Sequence, residues 1–306
     1  MSHSTVRIGT RGSKLARWQA EWVAAELSKH GVNAELVFIK TSGDVTSGPI
    51  GQIGGQGVFT KAIQSALLNN EVDLAVHSLK DLPTDDIDGL VLAAVPEREQ
   101  INDALVGRVA STIGELPPDA KVGTGSTRRR SQLLAARPDL TVVDIRGNVE
   151  TRLQKLDNEE FDAIVLASAG LKRLGFDGRI TEIISTAIML PAIGQGALGL
   201  ETRVDDSATR VILQRLDHAI THQAVIAERK LLSDLRGGCM APIAAWARAE
   251  SNQLVLDAAV FSIDGTNRVT VRRTATLTDG RELGTAAAAE LIELGAADLI
   301  DAARNT

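Results

Sequence analysis

The chain has 306 residues, a formal net charge of −6, 44% hydrophobic residues and 24% charged residues, which is typical of a soluble globular protein with two or three domains. The negative net charge argues against a general attraction to nucleic acid or to an anionic membrane. Aromatic residues make up only 3% and tyrosine is absent, which argues against base-stacking surfaces for nucleic acid.

The single cysteine, Cys239, excludes an internal disulfide framework and a multi-cysteine metal site, and we expect no metal. Residues 1–14 contain no apolar run, so no signal peptide is expected. No stretch approaches the roughly 18 to 20 apolar residues of a membrane helix. We therefore expect a cytoplasmic protein with no membrane partner, and a monomer without an obligate protein partner.

The first hundred residues alternate strands and helices. The first predicted helix has Leu15, Trp18 and Trp22 at helical spacing and ends at Gly31. A glycine-rich stretch, residues 42–57, is too irregular for a regular element and is predicted to be a loop. The predicted order is strand 5–10, helix 13–31, strand 34–41, helix 58–70 and strand 72–79. This β-α-β-α-β order implies a largely parallel sheet with both faces covered.

The same order restarts near residue 102, which predicts a second α/β unit. Its predicted elements are strand 121–125, helix 126–137, strand 140–145, helix 148–156 and strand 161–170. Segments 96–106 and 190–203 bracket this unit as two crossings between lobes. Residues 197–214 are therefore predicted to rejoin the first lobe.

The last part of the chain has a different pattern. A helix over 220–238 precedes strands over 242–250, 253–263 and 267–277, and one long alanine-rich helix closes the chain. Asp264 and Gly265 indicate a hairpin between the last two strands. The predicted fold is α/β with two lobes of mainly parallel sheet and a small α+β domain. The predicted domains are 1–97 with 197–214, 102–192, and 219–306.

Three motifs share the order strand end, glycine, serine or asparagine, helix start and nearby arginine. They are GTRGSK with Arg11 and Ser13, GTGSTRRR with Ser126, Arg128 and Arg129, and RGNVETR with Arg146 and Arg152. The start of a helix offers free N–H groups and a partial positive charge, so it attracts anions and gives arginine no benefit. The planar guanidinium binds carboxylate or phosphate through two hydrogen bonds. We predict that these five arginines converge on a multiply charged anion; solvated surface arginines are the alternative.

An acidic residue follows an apolar strand. Strand 72–79 is followed by Lys80 and Asp81, and Pro83 stops further regular structure. Because ligands in open α/β sheets bind beyond the carboxyl ends of the strands, Asp81 could move a proton or stabilise a cation. Lys80 could bind an anionic group and favour the ionised form of Asp81. A local salt bridge or a turn cap is the alternative, and His77 is predicted to be a packed strand residue without a role.

Six segments in order, RIGTRGSKLARWQA, VHSLKDLP, VGTGSTRRR, RGNVETRL, LPAIGQGALGLE and LRGGCMAPI, resemble the motifs of the porphobilinogen deaminase family, also called hydroxymethylbilane synthase. The resemblance covers essentially the whole chain. It implies three domains, the first two similar to periplasmic binding proteins. It also implies a transferase of tetrapyrrole and heme biosynthesis that joins four porphobilinogen molecules head to tail, releases ammonia at each addition and ends with hydroxymethylbilane.

The resemblance also implies roles for individual residues. A dipyrromethane cofactor would be attached to Cys239 by a thioether, and Asp81 would be the catalytic residue. Further contacts to the cofactor would come from Lys80, Asp81, Ser126, Arg128 and Arg129. Contacts to the substrate would come from Arg11, Ser13, Phe59, Arg146, Arg152 and Gln195. In the glycine-rich loop, Gln52 and Gln56 stand where many relatives carry lysine.

Two alternatives stay open from the residues alone. Cys239 could be a small buried hydrophobic residue, although Gly237 and Gly238 before it leave room for a bulky adduct. Two hinged lobes also suit a non-catalytic binding protein for a small polycarboxylate. Such receptors are usually exported, and they would not need a third domain with a cysteine.

Overall fold

The computed structural model describes residues 5–40, 60–238 and 241–304. The chain divides into two compact units, Met1–Glu99 with Gly196–His222, and Gln100–Gln195 with Gln223–Thr306. Among the described residues, no helix has both the length and the apolar character needed to cross a membrane.

The first unit is built on a five-stranded sheet. Its strands are β1 (Val6–Thr10), β2 (Ala34–Phe38), β3 (Leu74–Ser78), β4 (Leu90–Ala94) and β10 (Leu198–Arg203). In the order β2-β1-β3-β10-β4, four strands run in one direction and β10 runs in the opposite direction. The strand β10 therefore joins this sheet from a segment about a hundred residues further along the chain.

Helices cover both faces of this sheet. They are α1 (Lys14–Lys29), α2 (Lys61–Leu68) and α6 (Ser207–Leu213). Along β3, Leu74 and Val76 pack into a cluster with Val23 of α1, whereas Ala75 packs with Ile63 of α2. Side chains alternate between the faces of a strand, so both faces of β3 are buried. Each fully buried aliphatic side chain contributes about 1.5 to 3 kcal/mol to folding.

The second unit contains a sheet with the same arrangement of strand directions. Its strands are β5 (Asp103–Gly107), β6 (Lys121–Gly123), β7 (Thr141–Val143), β8 (Ala163–Ala167) and β9 (Glu182–Ile183). In the order β7-β6-β8-β5-β9, only β5 runs against the other four strands. In both sheets the reversed strand is the first one after the chain crosses from the other unit. The helices are α3 (Thr127–Ala136), α4 (Val149–Asp157) and α5 (Ser168–Arg173).

The rest of the second unit is a small α+β structure. Strands β11 (Ile243–Glu250), β12 (Gln253–Phe261) and β13 (Arg268–Ala275) form an antiparallel sheet. Its helices are α7 (Ala219–Asp234), α8 (Gly280–Glu293) and α9 (Ala296–Arg304). Alternate residues of the sheet, such as Leu254 and Leu256, pack with Leu231, Leu291 and Ile300 from the three helices. This buries one face of the sheet, as an antiparallel sheet needs.

Most predicted elements are confirmed, including the hairpin at Asp264–Gly265. The prediction that one long helix closes the chain is wrong, because two helices stand there. Gly295 takes a φ of +95°, a left-handed conformation that glycine adopts without steric cost, and this ends α8 before α9 begins. The fold class is α/β with two sheets in which four of five strands are parallel, and a small antiparallel sheet at the end. The division into three domains stays a prediction. The structure divides the chain into two compact units, and the second unit contains two sheets.

Candidate functional site

The first candidate surface is the carboxyl edge of the sheet in the first unit. Since β1 and β3 are parallel neighbours, the residues that follow them lie at the same edge. Arg11 and Ser13 follow β1, and a 3₁₀ turn, Leu79–Asp81, follows β3. A cavity of about 70 Å³ at this edge is lined by polar residues Arg11, Ser13, Gln19, Thr60, His77, Ser78 and Asp81. The structure therefore brings together three of the site residues that the sequence predicted.

Asp81 is well placed for contact with a ligand. It is exposed at the end of the 3₁₀ turn, which the backbone N–H of Leu82 closes by donating to the carbonyl of Leu79 at 3.1 Å. Lys80 in the same turn is also exposed. The cavity combines a carboxylate with the guanidinium of Arg11, and this combination suits a ligand that carries both acidic arms and N–H groups.

Ser13 is also the N-cap of α1. Its Oγ accepts a hydrogen bond from the backbone N–H of Ala16 at 3.3 Å, which stabilises the first helical turn. The hydroxyl hydrogen can still be donated to a ligand. The first turn of α1 contains no acidic residue, so nothing in that turn offsets the positive end of the helix dipole.

The second candidate surface is the carboxyl edge of the sheet β7-β6-β8-β5-β9. The backbone N–H of Thr124, after β6, donates to the carbonyl of Val143 at the end of β7 at 2.9 Å. Ser126 and Asn148 are the N-caps of α3 and α4. The GTGSTRRR and RGNVETR motifs therefore start two helices at one edge of the sheet.

Two of the predicted arginines have an internal partner that the sequence analysis missed. Arg128 Nη2 lies 2.7 Å from Asp103 Oδ2, and Arg129 Nη2 lies 2.7 Å from Asp103 Oδ1. Gln195 Nε2 also donates to Asp103 Oδ1 at 3.0 Å. Asp103 begins β5 opposite Ala167, the last residue of β8, which places it at this edge. The signal was available, because an acidic residue directly precedes the apolar run ALV.

Burial and charge act against each other at Asp103. The side chain has no exposed surface. Burial acts to raise the pKa of Asp103, but the charges and hydrogen bonds of Arg128 and Arg129 outweigh it and lower the pKa to about 2. The pKa of Arg128 is itself lowered, first by burial. One carboxylate thus faces two guanidinium groups, so positive charge is in excess here.

The excess positive charge extends to α4. Arg152 donates from Nε to the carbonyl of Gly147 at 2.8 Å, and its pKa is lowered to about 10 by burial and by repulsion from Arg129 and Arg146. Arg146 pairs with Asp144 at 2.7 Å, with both side chains about half exposed. Guanidinium groups that repel one another indicate a site for a multiply charged anion.

Several predicted residues fall outside the described part of the chain. Phe59, Cys239 and the glycine-rich loop with Gln52 and Gln56 are among them.

Gly237 was expected to be a glycine because it leaves room for an adduct on Cys239, and its surroundings correct that explanation. A Cβ on Gly237 would lie 2.3 Å from Ile243 Cδ1 and 2.7 Å from Leu232 Cδ1. Glycine is required there because the core packs against it.

Other polar residues of the first cavity were missed. Gln19 Nε2 donates to Ser78 Oγ at 2.8 Å, and both residues line the cavity. His77, which was predicted to be a packed strand residue without a role, lines the same cavity and contacts the buried Glu201. Polar residues on otherwise apolar strands and buried helix faces are the signal that could have identified them.

The described residues define a class of protein: an α/β protein that carries arginines at helix starts along the carboxyl edges of two sheets. Residues 6–211 match the model of "Porphobilinogen deaminase, dipyromethane cofactor binding domain", and residues 222–293 match "Porphobilinogen deaminase, C-terminal domain". The chain belongs to the porphobilinogen deaminase family. The resemblance seen in the sequence is thereby confirmed, and a dipyrromethane cofactor-binding domain is part of the chain.

Curated relatives match over nearly the full length. The porphobilinogen deaminase of Geobacter sulfurreducens is 47% identical over 303 residues, which covers 98% of this chain and 95% of the relative. That of Chlorobium chlorochromatii is 48% identical over 306 residues, with 98% of each chain covered. These matches extend over both compact units.

Solved structures show a weaker similarity. A crystal structure from Bacillus subtilis, described as that of a methionine-binding lipoprotein, matches with a TM-score of 0.44 and 14% identity. The match covers 69% of this chain and 89% of that chain. A crystal structure from Methylobacillus flagellatus, described as that of a periplasmic sulfonate-binding protein, matches with a TM-score of 0.38 and 16% identity. The match covers 76% of this chain and 68% of that chain. The family assignment therefore depends on the sequence matches, and the fold class on the strand order.

Proposed function

We propose that this protein is a hydroxymethylbilane synthase, which joins four porphobilinogen molecules head to tail with release of ammonia in tetrapyrrole biosynthesis. Family membership supports this activity. The observation that carries the proposal is the cavity that holds Asp81 together with Arg11 and Ser13. A carboxylate beside anion-binding groups matches the mixed charges of this substrate.

Each group of porphobilinogen has a counterpart in that cavity. The acetate and propionate arms would bind the guanidinium of Arg11 and the hydroxyl of Ser13. Asp81 would accept the pyrrole N–H. The aminomethyl group leaves from its protonated, ammonium form: when its C–N bond breaks, the electron pair leaves with neutral ammonia, and positive charge spreads over the pyrrole ring. Asp81 would stabilise that charge, because a fixed carboxylate needs little reorganisation as the charge develops.

The arginines of the second unit fit the acidic arms of a dipyrromethane. Arg128 and Arg129 would hold it, with Ser126 and Lys80 as further contacts, and Asp103 fixes both guanidinium planes. Arg146 and Arg152 would bind incoming substrate, and Gln195 and Phe59 are proposed as further substrate contacts. The repulsion at Arg152 supports an anion there. Attached through Cys239, the cofactor supplies the primer to which pyrrole units are added.

Release of ammonia distinguishes this activity from the alternative, a non-catalytic binding protein for a small polycarboxylate. Purified protein is incubated with porphobilinogen, and ammonia is measured over time. We expect release from the wild type and almost none from Asp81→Asn. Saturable binding without ammonia would instead establish a receptor. The cytoplasmic location and the monomeric state stay predictions.

A further inference from the structure

A buried polar array lies beside the cavity of Asp81. His77 Nε2 lies 3.0 Å from Glu201 Oε2, and Gln64 Nε2 donates to Glu201 Oε1 at 3.1 Å. The side chains of His77 and Glu201 are 3% and 8% exposed. Three elements supply the array, β3, β10 and α2, which all belong to the first unit.

The strand register explains how the two side chains meet. His77 is paired with Gly199 and Ala75 with Glu201, so His77 and Glu201 are diagonal neighbours on one face of the sheet. Gln64 reaches the same carboxylate from the helix that covers this face. Each oxygen of Glu201 therefore has a partner, which a carboxylate needs when it is taken out of water.

The array fixes which nitrogen of His77 carries hydrogen. A carboxylate can only accept, so Nε2 of His77 must be the donor in this hydrogen bond. In the neutral ring Nδ1 is then an acceptor. Within the described residues, the Glu201 contact is the side-chain hydrogen bond recorded for His77, and His77 is one of the residues that line the cavity with Asp81.

We propose that His77 is a further ligand-binding residue of this cavity, with Nδ1 as the acceptor for the ammonium group of the porphobilinogen aminomethyl arm, and that Glu201 is its positioning residue. This inference rests on the proposed function. Glu201 holds the ring in the orientation and tautomer that present Nδ1. Asp81 and Arg11 then bind the pyrrole N–H and a carboxylate of the same molecule.

Two substitutions of His77 test the roles of its two ring nitrogens separately. In His77→Gln the amide N–H₂ can take the place of Nε2 and keep Glu201 paired, while the acceptor at Nδ1 is lost. In His77→Asn the amide reaches only as far as Nδ1, so Glu201 loses its donor. His30→Gln, at the exposed end of α1, is the matched control. The holoenzyme of each is compared for thermal unfolding, kcat and KM.

For His77→Gln we expect a Tm near that of the wild type, a KM raised about tenfold or more, and a kcat within about threefold, since one hydrogen bond to a charged group is lost. His77→Asn should unfold at a clearly lower temperature. A KM for His77→Gln within about twofold of the wild type would overturn the proposal.

A second measurement does not depend on turnover. In Asp81→Asn labelled with ¹⁵N-histidine, NMR should show Nε2 of His77 protonated, and the Nδ1 resonance should shift as porphobilinogen is added. An Nδ1 resonance that stays constant while porphobilinogen saturates the protein would contradict the proposal. Wild-type protein that binds porphobilinogen without releasing ammonia would refute the proposed function, and the NMR titration would still test the contact at His77.

Discussion

Arg128 and Asp103 form an ion pair in which Arg128 Nη2 lies 2.7 Å from Asp103 Oδ2 and both side chains are buried. Arg129 occupies the other oxygen of the same carboxylate at 2.7 Å. Both arginines start α3, so this one aspartate fixes two cations at the edge where the second unit is predicted to bind anions.

Asp103→Asn should destabilise the second unit strongly. It would leave two buried guanidinium groups without a counter-charge, and breaking a buried ion pair costs about 3 to 5 kcal/mol. Urea unfolding measures the loss. Asp157→Asn, which breaks the exposed pair with Arg179, is the control and should cost less than about 1 kcal/mol. Equal effects of the two substitutions would show that Asp103 is not a structural anchor.

Asp103 should also make stability depend on pH in the acid range. Its pKa is lowered from 3.8 to about 2 in the folded protein. A group with a lowered folded pKa contributes stability that is present above pH 3.8 and is lost as pH falls through 2. The contribution is roughly 2 kcal/mol. The free energies of unfolding of the wild type and of Asp103→Asn, measured between pH 5 and 2, should therefore converge at the acid end. Curves that stay parallel over this range would count against this pKa.

Asp81→Asn should remove turnover and leave the fold intact. The side chain is exposed at the end of its turn, so its substitution removes no core contact. We expect kcat to fall about a hundredfold or more, the size of effect seen when a positioned acid-base group is removed. Thermal unfolding and ammonia release are measured together. Asp86→Asn, an exposed residue shortly after it, should keep near-normal kcat; near-normal kcat in Asp81→Asn itself would refute the assigned role.

Arg152→Gln should stabilise the fold and weaken anion binding. The pKa of Arg152 is lowered from 12.5 to about 10, so its charged form is disfavoured in the folded protein at every pH below 10. Removing the charge relieves repulsion with Arg129 and Arg146. The measurement is Tm with and without inorganic phosphate. Without phosphate, the Tm of Arg152→Gln should be higher than that of Lys155→Gln, a control on the same helix. Phosphate should raise the Tm of Arg152→Gln by less than that of the control, and an equal rise in both variants would place the anion elsewhere.

The sequence predicted the positions of the helix starts well, for a local reason. Ser13, Ser126 and Asn148 each follow a strand and a glycine, and in the structure each side chain caps the helix that begins there. The apolar run before Asp81 likewise placed it at the end of β3. Caps and strand periods depend on residues close together in the chain, so they can be read without the fold.

What could not be predicted depends on contacts between distant residues. His77 and Glu201 are 124 positions apart, and they meet because β10 inserts beside β3 in reverse direction. Asp103 meets Arg128 for the same reason, since β5 inserts beside β8. No local pattern shows which strand pairs with which, so both buried partners were missed.

The central claim is that this chain builds a pyrrole oligomer on Cys239. The intact mass of the purified protein tests it most directly, before and after limiting porphobilinogen is added. We predict a wild-type mass above the sequence mass by two pyrrole units, with further increments of one unit after addition, and the sequence mass alone for Cys239→Ala. A wild-type protein at its sequence mass under both conditions would contradict the account.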